Sequence, residues 1–450
     1  MAPDLAPFAQ LIRHSSGRIL ASGVTQRLMR IPKPRHAGAA LLIVGLLIAA
    51  GLLIAQDQET LRVRTSVAAG DRLFPEYLAR LLGAPLTKGD AYVVLTDGGE
   101  AYPAMLEAIG RARHRVSFET YVYESGEVAD RFTAAFEAAA RRGVTVRIVL
   151  DAIGAKRIDA EHVDRLEAAG CQVAWFNEVS GYSLEELNYR THRKSLVVDG
   201  DVAFVGGIGV GDHWAMDTDG GPRWRDTQIE VRGPAAVYVE GSFNENWIES
   251  GRIVEPDLLP HDDLPTGPAE SIVVWSGPEG GASAMKLLYL LAIAAARTTL
   301  DIQSPYFVTD ASTEWSLADA RRRGVTIRLL MEGDITDAKP VKFASREAYG
   351  RLLAQGIEIH EYQPAMMHTK VMVVDGVLSV FGSANFDNRS MELNDELNIA
   401  AFDRDLARRF VEDFERDLSR STRIDLDAWR GRPPHIRARE TLWSFFGEVF

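Results

Sequence analysis

Two stretches of this chain repeat the same alternation of apolar and polar positions. Residues 141–151 (RRGVTVRIVLD) and 322–332 (RRGVTIRLLME) each run from a basic helix end through a glycine into an apolar strand. Upstream, RVSFETYVY (115–123) is answered by TLDIQSPYF (299–307). Downstream, HRKSLVVDGDVAFVGG (192–207) is answered by HTKVMVVDGVLSVFGSAN (368–385). These last two predict hairpins, because Asp-Gly between apolar runs is a strong turn signal. The offset between copies drifts only from 184 to 176 residues, which means a duplicated domain with small loop insertions rather than a short solenoid. Each half reads helix, strand, helix, strand and then the hairpin, the alternation of a layered α/β domain. The expectation is an α/β protein of two tandem homologous sandwich domains forming a pseudo-dimer. The first spans 91–255 and the second 270–432, with a linker at 56–90.

One apolar run breaks this pattern. Residues 37–55 (AGAALLIVGLLIAAGLLIA) carry no charge over nineteen positions, enough for a helix to cross a hydrocarbon core of ~30 Å. The 1–36 tail before it holds Arg13, Arg18, Arg27, Arg30, Lys33 and Arg35 against the single acid Asp4. A cleaved signal peptide is the alternative, but the leader is long and no convincing small-x-small site follows. A retained single-pass anchor in the cell (inner) membrane is expected. The basic tail then lies on the cytoplasmic side and the globular part on the other. Residues 287–296 are apolar but too short to span and predict a buried helix. The C-terminal 433–450 tail gathers Trp443, Phe445, Phe446 and Phe450. It either packs on its own domain or touches a membrane interface.

Composition then narrows the classes. The chain has 450 residues with net charge −13. The first 36 residues carry +5, so −18 falls on the rest. A nucleic-acid binder normally presents a basic footprint, so no nucleic acid is expected as partner. The sole cysteine, Cys171, forms no internal disulfide, makes no cysteine-rich metal site by itself and reads as a core residue.

The pattern His-x-Lys-x-x-x-x-Asp heads both hairpins, at His192, Lys194 and Asp199 and at His368, Lys370 and Asp375. Residues two apart on a strand share a face, so each histidine and its lysine project together. Attack on a phosphodiester needs a nucleophile, an acid for the leaving oxygen and cations for the phosphoryl oxygens. Two imidazoles fill the first two roles if one starts neutral and the other protonated. The lysines supply positive charge without a metal or cofactor; a metal beside two lysines would be repelled. Asp199 and Asp375 sit at the turns, where a carboxylate fixes the hairpin through backbone hydrogen bonds. Two domains with separate sites are the alternative, but half a site per copy is chemically incomplete.

With these motifs the chain resembles the phospholipase D superfamily over nearly all of its length after the anchor. WRDT (224–227), SPYF (304–307), GSANFDNRS (382–390), LNDELNIA (393–400) and the 71–90 stretch DRLFPEYLARLLGAPLTKGD resemble its bacterial cardiolipin synthase branch. The resemblance implies phospholipase D-like domains and a metal-independent, two-step phosphatidyl transfer on phosphatidylglycerol-like lipids at a membrane. It implies no obligate protein partner. By analogy His192 is the nucleophile and His368 the acid/base. Ser383 and Asn385 match the family's phosphate-contacting pair, and Glu396 and Asp226 match the acids that orient the histidines. The chain departs from the pattern at Gly209, where the synthases usually carry Asn, and in having one anchor rather than two. A hydrolytic phospholipase D, with water as acceptor, remains the alternative; a nuclease and a non-catalytic membrane module are further ones.

Overall fold

The computed structural model describes residues 60–178, 189–254, 267–277 and 282–444. The chain divides into two units, Met1–Gln56 and Asp57–Phe450, and every described residue lies in the second. The expected 37–55 anchor and the tail before it therefore lie outside the described residues. Among those described, no helix is long and apolar enough to cross a membrane.

The first half contributes β1 (Leu86–Thr96), β2 (Arg115–Thr120), β3 (Thr145–Asp151), β4 (Gln172–Phe176), β5 (Lys194–Val198), β6 (Val202–Gly206) and β7 (Thr227–Arg232). The second contributes β8 (Ala269–Ser276), β9 (Thr299–Gln303), β10 (Thr326–Glu332), β11 (Glu358–Tyr362), β12 (Val371–Val374), β13 (Leu378–Gly382), β14 (Glu396–Phe402) and β15 (Ser421–Arg423). All belong to a single sheet, ordered β15-β11-β10-β9-β12-β13-β14-β8-β1-β7-β6-β5-β2-β3-β4. The order reads outward identically from the central pair, β1-β7-β6-β5-β2-β3-β4 on one side and β8-β14-β13-β12-β9-β10-β11 on the other. Antiparallel pairing of β1 with β8, from Leu86 opposite Ile272, joins the two halves.

The strands β2, β3 and β4 run parallel, and β2 is buried along its whole length. This suits a strand covered on both faces, which shows apolar runs rather than alternation. The helices Asp97–Arg111 and Glu127–Arg141 send Tyr102, Met105, Phe132 and Phe136 into the first-half core, where Cys171 also lies. In the second half the helix Ala282–Ala295 buries Leu288, Leu291 and Ala292, where the apolar run at 287–296 predicts a buried helix. Pro234–Glu249 and Arg404–Leu418 supply Val239 and Phe410 to a third core formed by strands of both halves.

Two local features depart from the sequence reading. Each half carries an additional helix–strand unit before its hairpin, the helices Ala160–Ala168 and Lys339–Ala354 followed by β4 and β11. The 56–90 stretch read as a linker holds the helix Phe74–Leu82, whose Phe74, Leu78 and Ala79 join the second-half core. The sequence separation hides this, because the helix leaves its own neighbours to pack against residues of the far half. At the other end, the helix Pro434–Ser444 is tied down by Glu440, which accepts from Arg432 and Arg346. Of the aromatic tail, Phe445, Phe446 and Phe450 lie outside the described residues.

Candidate active site

The two motif hairpins, β5–β6 and β12–β13, turn through left-handed residues, Asp199 (φ 53°) with Gly200 and Asp375 (φ 52°) with Gly376. Aspartate tolerates this region better than most side chains because it bonds locally to the backbone. The Asp199 carboxylate accepts from the N–H groups of Arg113, His114 and Arg115. Asp375 likewise accepts from Arg297, Thr298 and Thr299. Each turn is thereby clamped to the start of the neighbouring antiparallel strand, β2 or β9, roughly 16 Å of extended chain from the lysine end of its hairpin.

At the opposite end the halves exchange backbone. The His192 N–H donates to the Asp395 carbonyl at 2.9 Å, and the His368 N–H to the Arg225 carbonyl at 2.7 Å. Short parallel bridges, Thr191 with Asp395 and Arg225 with Met367, hold these crossings. In each case the next residue along the opposite half is the carboxylate that meets the imidazole. His192 Nδ1 lies 2.9 Å from Glu396 Oε1, and His368 Nδ1 lies 2.6 Å from Asp226 Oδ2. A carboxylate on Nδ1 fixes the Nδ1–H tautomer and leaves Nε2 as the reactive atom. Neither half holds its own histidine.

Both imidazoles line one cleft with a cavity volume of about 1000 Å³, together with Lys194, Asn385, Tyr121, His213, Trp214 and Trp224. Each motif lysine folds back on its own histidine's carbonyl, Lys194 Nζ at 2.8 Å and Lys370 Nζ at 2.7 Å. Burial lowers Lys194 to about 7 and Lys370 to about 8. Burial also lowers His192 to about 4, against the pull of Glu396, and carries His368 well below the usual range, helped by Lys370 and Lys194. Both shifts favour the neutral rings. This differs from the pairing of one neutral with one protonated imidazole, because a dry site holding two lysines resists a third positive charge.

The carboxylates diverge. Burial pushes Asp226 up to about 6 despite Lys370 and the Thr227 N–H. Burial also opposes ionisation of Glu396, but His192, Lys194 and the Ser383 hydroxyl outweigh it and bring it down to about 2.

The matched phosphate pair separates. Asn385 lines the cleft, and its Oδ1 has no partner among the described residues. Ser383 is fully buried; its hydroxyl donates to Glu396 Oε2 at 2.5 Å and accepts from the Leu397 N–H. Ser383 thus stands behind the carboxylate, a correction to its reading as a phosphate contact. Gly209 is closely packed: a Cβ there would lie 3.0 Å from the Val122 carbonyl oxygen and 3.2 Å from the Trp214 ring. Sequence reasoning missed Tyr121, His213 and Trp214 in the cleft, since no motif singles them out.

A family model described as "Cardiolipin synthase, PLD-like domain" matches residues 105–219 and 289–418. The cardiolipin synthase of Geobacillus kaustophilus is 32% identical over 362 residues, 80% of this chain and 72% of that protein. Cardiolipin synthase 2 of Bacillus anthracis is 32% identical over 359 residues, 79% of this chain and 70% of its own. Among solved structures, the phosphatidylserine synthase of Haemophilus influenzae shares the fold at TM-score 0.64 and 11% identity, over 84% of this chain and 100% of that one.

Proposed function

Because this chain belongs to the phospholipase D-like family of the cardiolipin synthases, we propose that it is a phosphatidyltransferase that joins two phosphatidylglycerol molecules into cardiolipin. One observation carries the mechanism: two imidazoles in one cleft, each oriented at Nδ1 by a carboxylate from the opposite half, both presenting Nε2. The phosphodiester of the donor lipid brings negative charge beside Lys194, Lys370 and both rings, which restores the lysine charges and lets His368 take a proton. His192 Nε2 attacks phosphorus, the P–O bond to the glycerol head group breaks, and His368 Nε2 protonates the departing alkoxide. The acceptor's hydroxyl then gives its proton back to His368 while its oxygen displaces His192 from phosphorus. Glu396, ionised throughout, suits the nucleophile's partner, since a nearby anion strengthens the N–P bond-forming nitrogen. Asn385 is placed to donate to a phosphoryl oxygen.

The reading includes the membrane. A span at 37–55 after a basic tail would put the catalytic unit on the non-cytoplasmic face. A periplasm-active reporter fused after Phe450 should then be active, and activity of a cytoplasmic reporter there would refute the orientation.

Product analysis with purified protein and labelled phosphatidylglycerol tests the activity. Cardiolipin and free glycerol are expected, with added glycerol reversing the reaction. Phosphatidic acid as sole product would make water the acceptor and the protein a hydrolytic phospholipase D. No turnover of phosphatidylglycerol would overturn the substrate class.

A further inference from the structure

The two halves finish the same task with different donors. In the second half, the carboxylate holding His192 has two hydrogen-bond partners, the imidazole on Glu396 Oε1 and the Ser383 hydroxyl on Oε2. In the first half the position equivalent to Ser383 is Gly207, as the matching bonds from Ser383 N–H to the Leu397 carbonyl and from Gly207 N–H to the Thr227 carbonyl show. A Cβ on Gly207 would fall 2.3 Å from Asp226 Oδ1, so no side chain can reach Asp226 from that side. The Thr227 N–H donates directly to Asp226 Oδ1 at 2.7 Å, and the side-chain donor arrives from elsewhere. Trp214 Nε1 donates at 3.0 Å to Asp226 Oδ2, the same oxygen that meets His368 Nδ1. The indole is 1% exposed and lies edge-on to His368, ring centroids 5.7 Å apart. Gly209, which stands where the second half has Asn385, packs close to it: a Cβ there would lie 3.0 Å from the Val122 carbonyl oxygen and 3.2 Å from the indole.

We propose that Trp214 is a positioning residue for His368, supplying to Asp226 the side-chain hydrogen bond that Ser383 supplies to Glu396, where Gly207 has no side chain to offer one. It rests on His368 acting as the acid that protonates the leaving alcohol. The N–H holds the carboxylate in place and ionised, and the carboxylate in turn holds the imidazole with Nε2 toward the cleft. A bond to a charged acceptor loses more when removed than one between neutral groups.

The test replaces the indole nitrogen while keeping the ring. Trp214→Phe removes the N–H with part of the ring; benzothienylalanine at 214 by codon suppression removes only the N–H and keeps the volume. Two phosphodiester substrates are compared in wild type and both variants, one with an alkyl leaving group and one with a p-nitrophenyl leaving group that departs without protonation. The first-step rate with the alkyl ester should fall roughly tenfold or more. The burst of p-nitrophenol should change less than about threefold, and the acid limb of the alkyl reaction should move to higher pH. Rates unchanged for both esters, or lowered equally for both, in protein whose melting temperature matches wild type would overturn the proposal. If the Phe variant fails to fold, the benzothienyl variant decides by the same criteria. A wild type that cleaves neither ester would remove the phosphodiester reading itself, and this inference with it.

Discussion

At the scale of single residues, the asymmetry between Glu396 and Asp226 sets how the two histidines differ. Glu396 stays ionised beside His192 down to about pH 2, whereas Asp226 takes up a proton near pH 6. Asp226 is raised above the ordinary carboxylate range, so it is charged above about 6 and neutral below. Lys194 is lowered to about 7, so in the empty enzyme it is charged below that value and neutral above. kcat/KM, which reports the free enzyme, should therefore rise through pH 6 and fall between 7 and 8. A profile flat from pH 5 to 9 would contradict both assignments. His192→Ala and His368→Ala should each lower turnover by several orders of magnitude, since members of one catalytic unit fail together. Wild-type-like turnover in either would remove the shared site. Ser383 shows the limit of motif matching: its place in the chain was legible, but the direction of its hydroxyl depended on where Glu396 came to rest.

Among the elements, the motif hairpins are the parts whose form the sequence states most fully. Short apolar runs, buried on both faces, specify the strands, and Asp-Gly specifies a turn with positive φ. The third motif residue belongs to that geometry. Asp375 gathers the N–H groups of Arg297, Thr298 and Thr299, and the Thr298 hydroxyl as well. Asp375→Ala should destabilise the protein by about 2–4 kcal/mol, combining unsatisfied donors with a left-handed residue that alanine resists. Urea denaturation measures this, and residual activity in the folded fraction should persist because the turn lies away from the cleft. A variant of unchanged stability but abolished turnover would instead place Asp375 in the chemistry. The helix Phe74–Leu82 could not be read in this way. Its amphipathic stripe is local, but its packing surface belongs to the far half of the sheet.

For the whole molecule, the continuous sheet joins both copies into one folding unit. Besides the β1–β8 seam, a buried ion pair crosses between them: Arg225 Nε meets Asp417 at 2.9 Å, with both side chains at most 5% exposed. Removing one partner of such a pair leaves an unpaired buried charge. Arg225→Met should cost about 3–5 kcal/mol, and adding Asp417→Leu should recover much of the loss. Calorimetry of the 57–450 unit should show a single transition. Two transitions, with Arg225→Met shifting only one, would mean that the halves unfold independently.

The sequence by itself determined the duplication, the α/β alternation, both hairpins and the six residues of the repeated motif. All of these follow from local periodicity and turn chemistry, which act over a few residues. It also supplied both carboxylates as candidates, without saying which histidine each would hold. Only the tertiary structure decided that Glu396 serves His192 and Asp226 serves His368, partners 204 and 142 positions apart. The reason is physical: these contacts arise where the ends of two hairpins cross at the seam of the sheet. No period within either half encodes that crossing. The same holds for Trp214, whose N–H reaches Asp226 on the side where Gly207 has no side chain to offer.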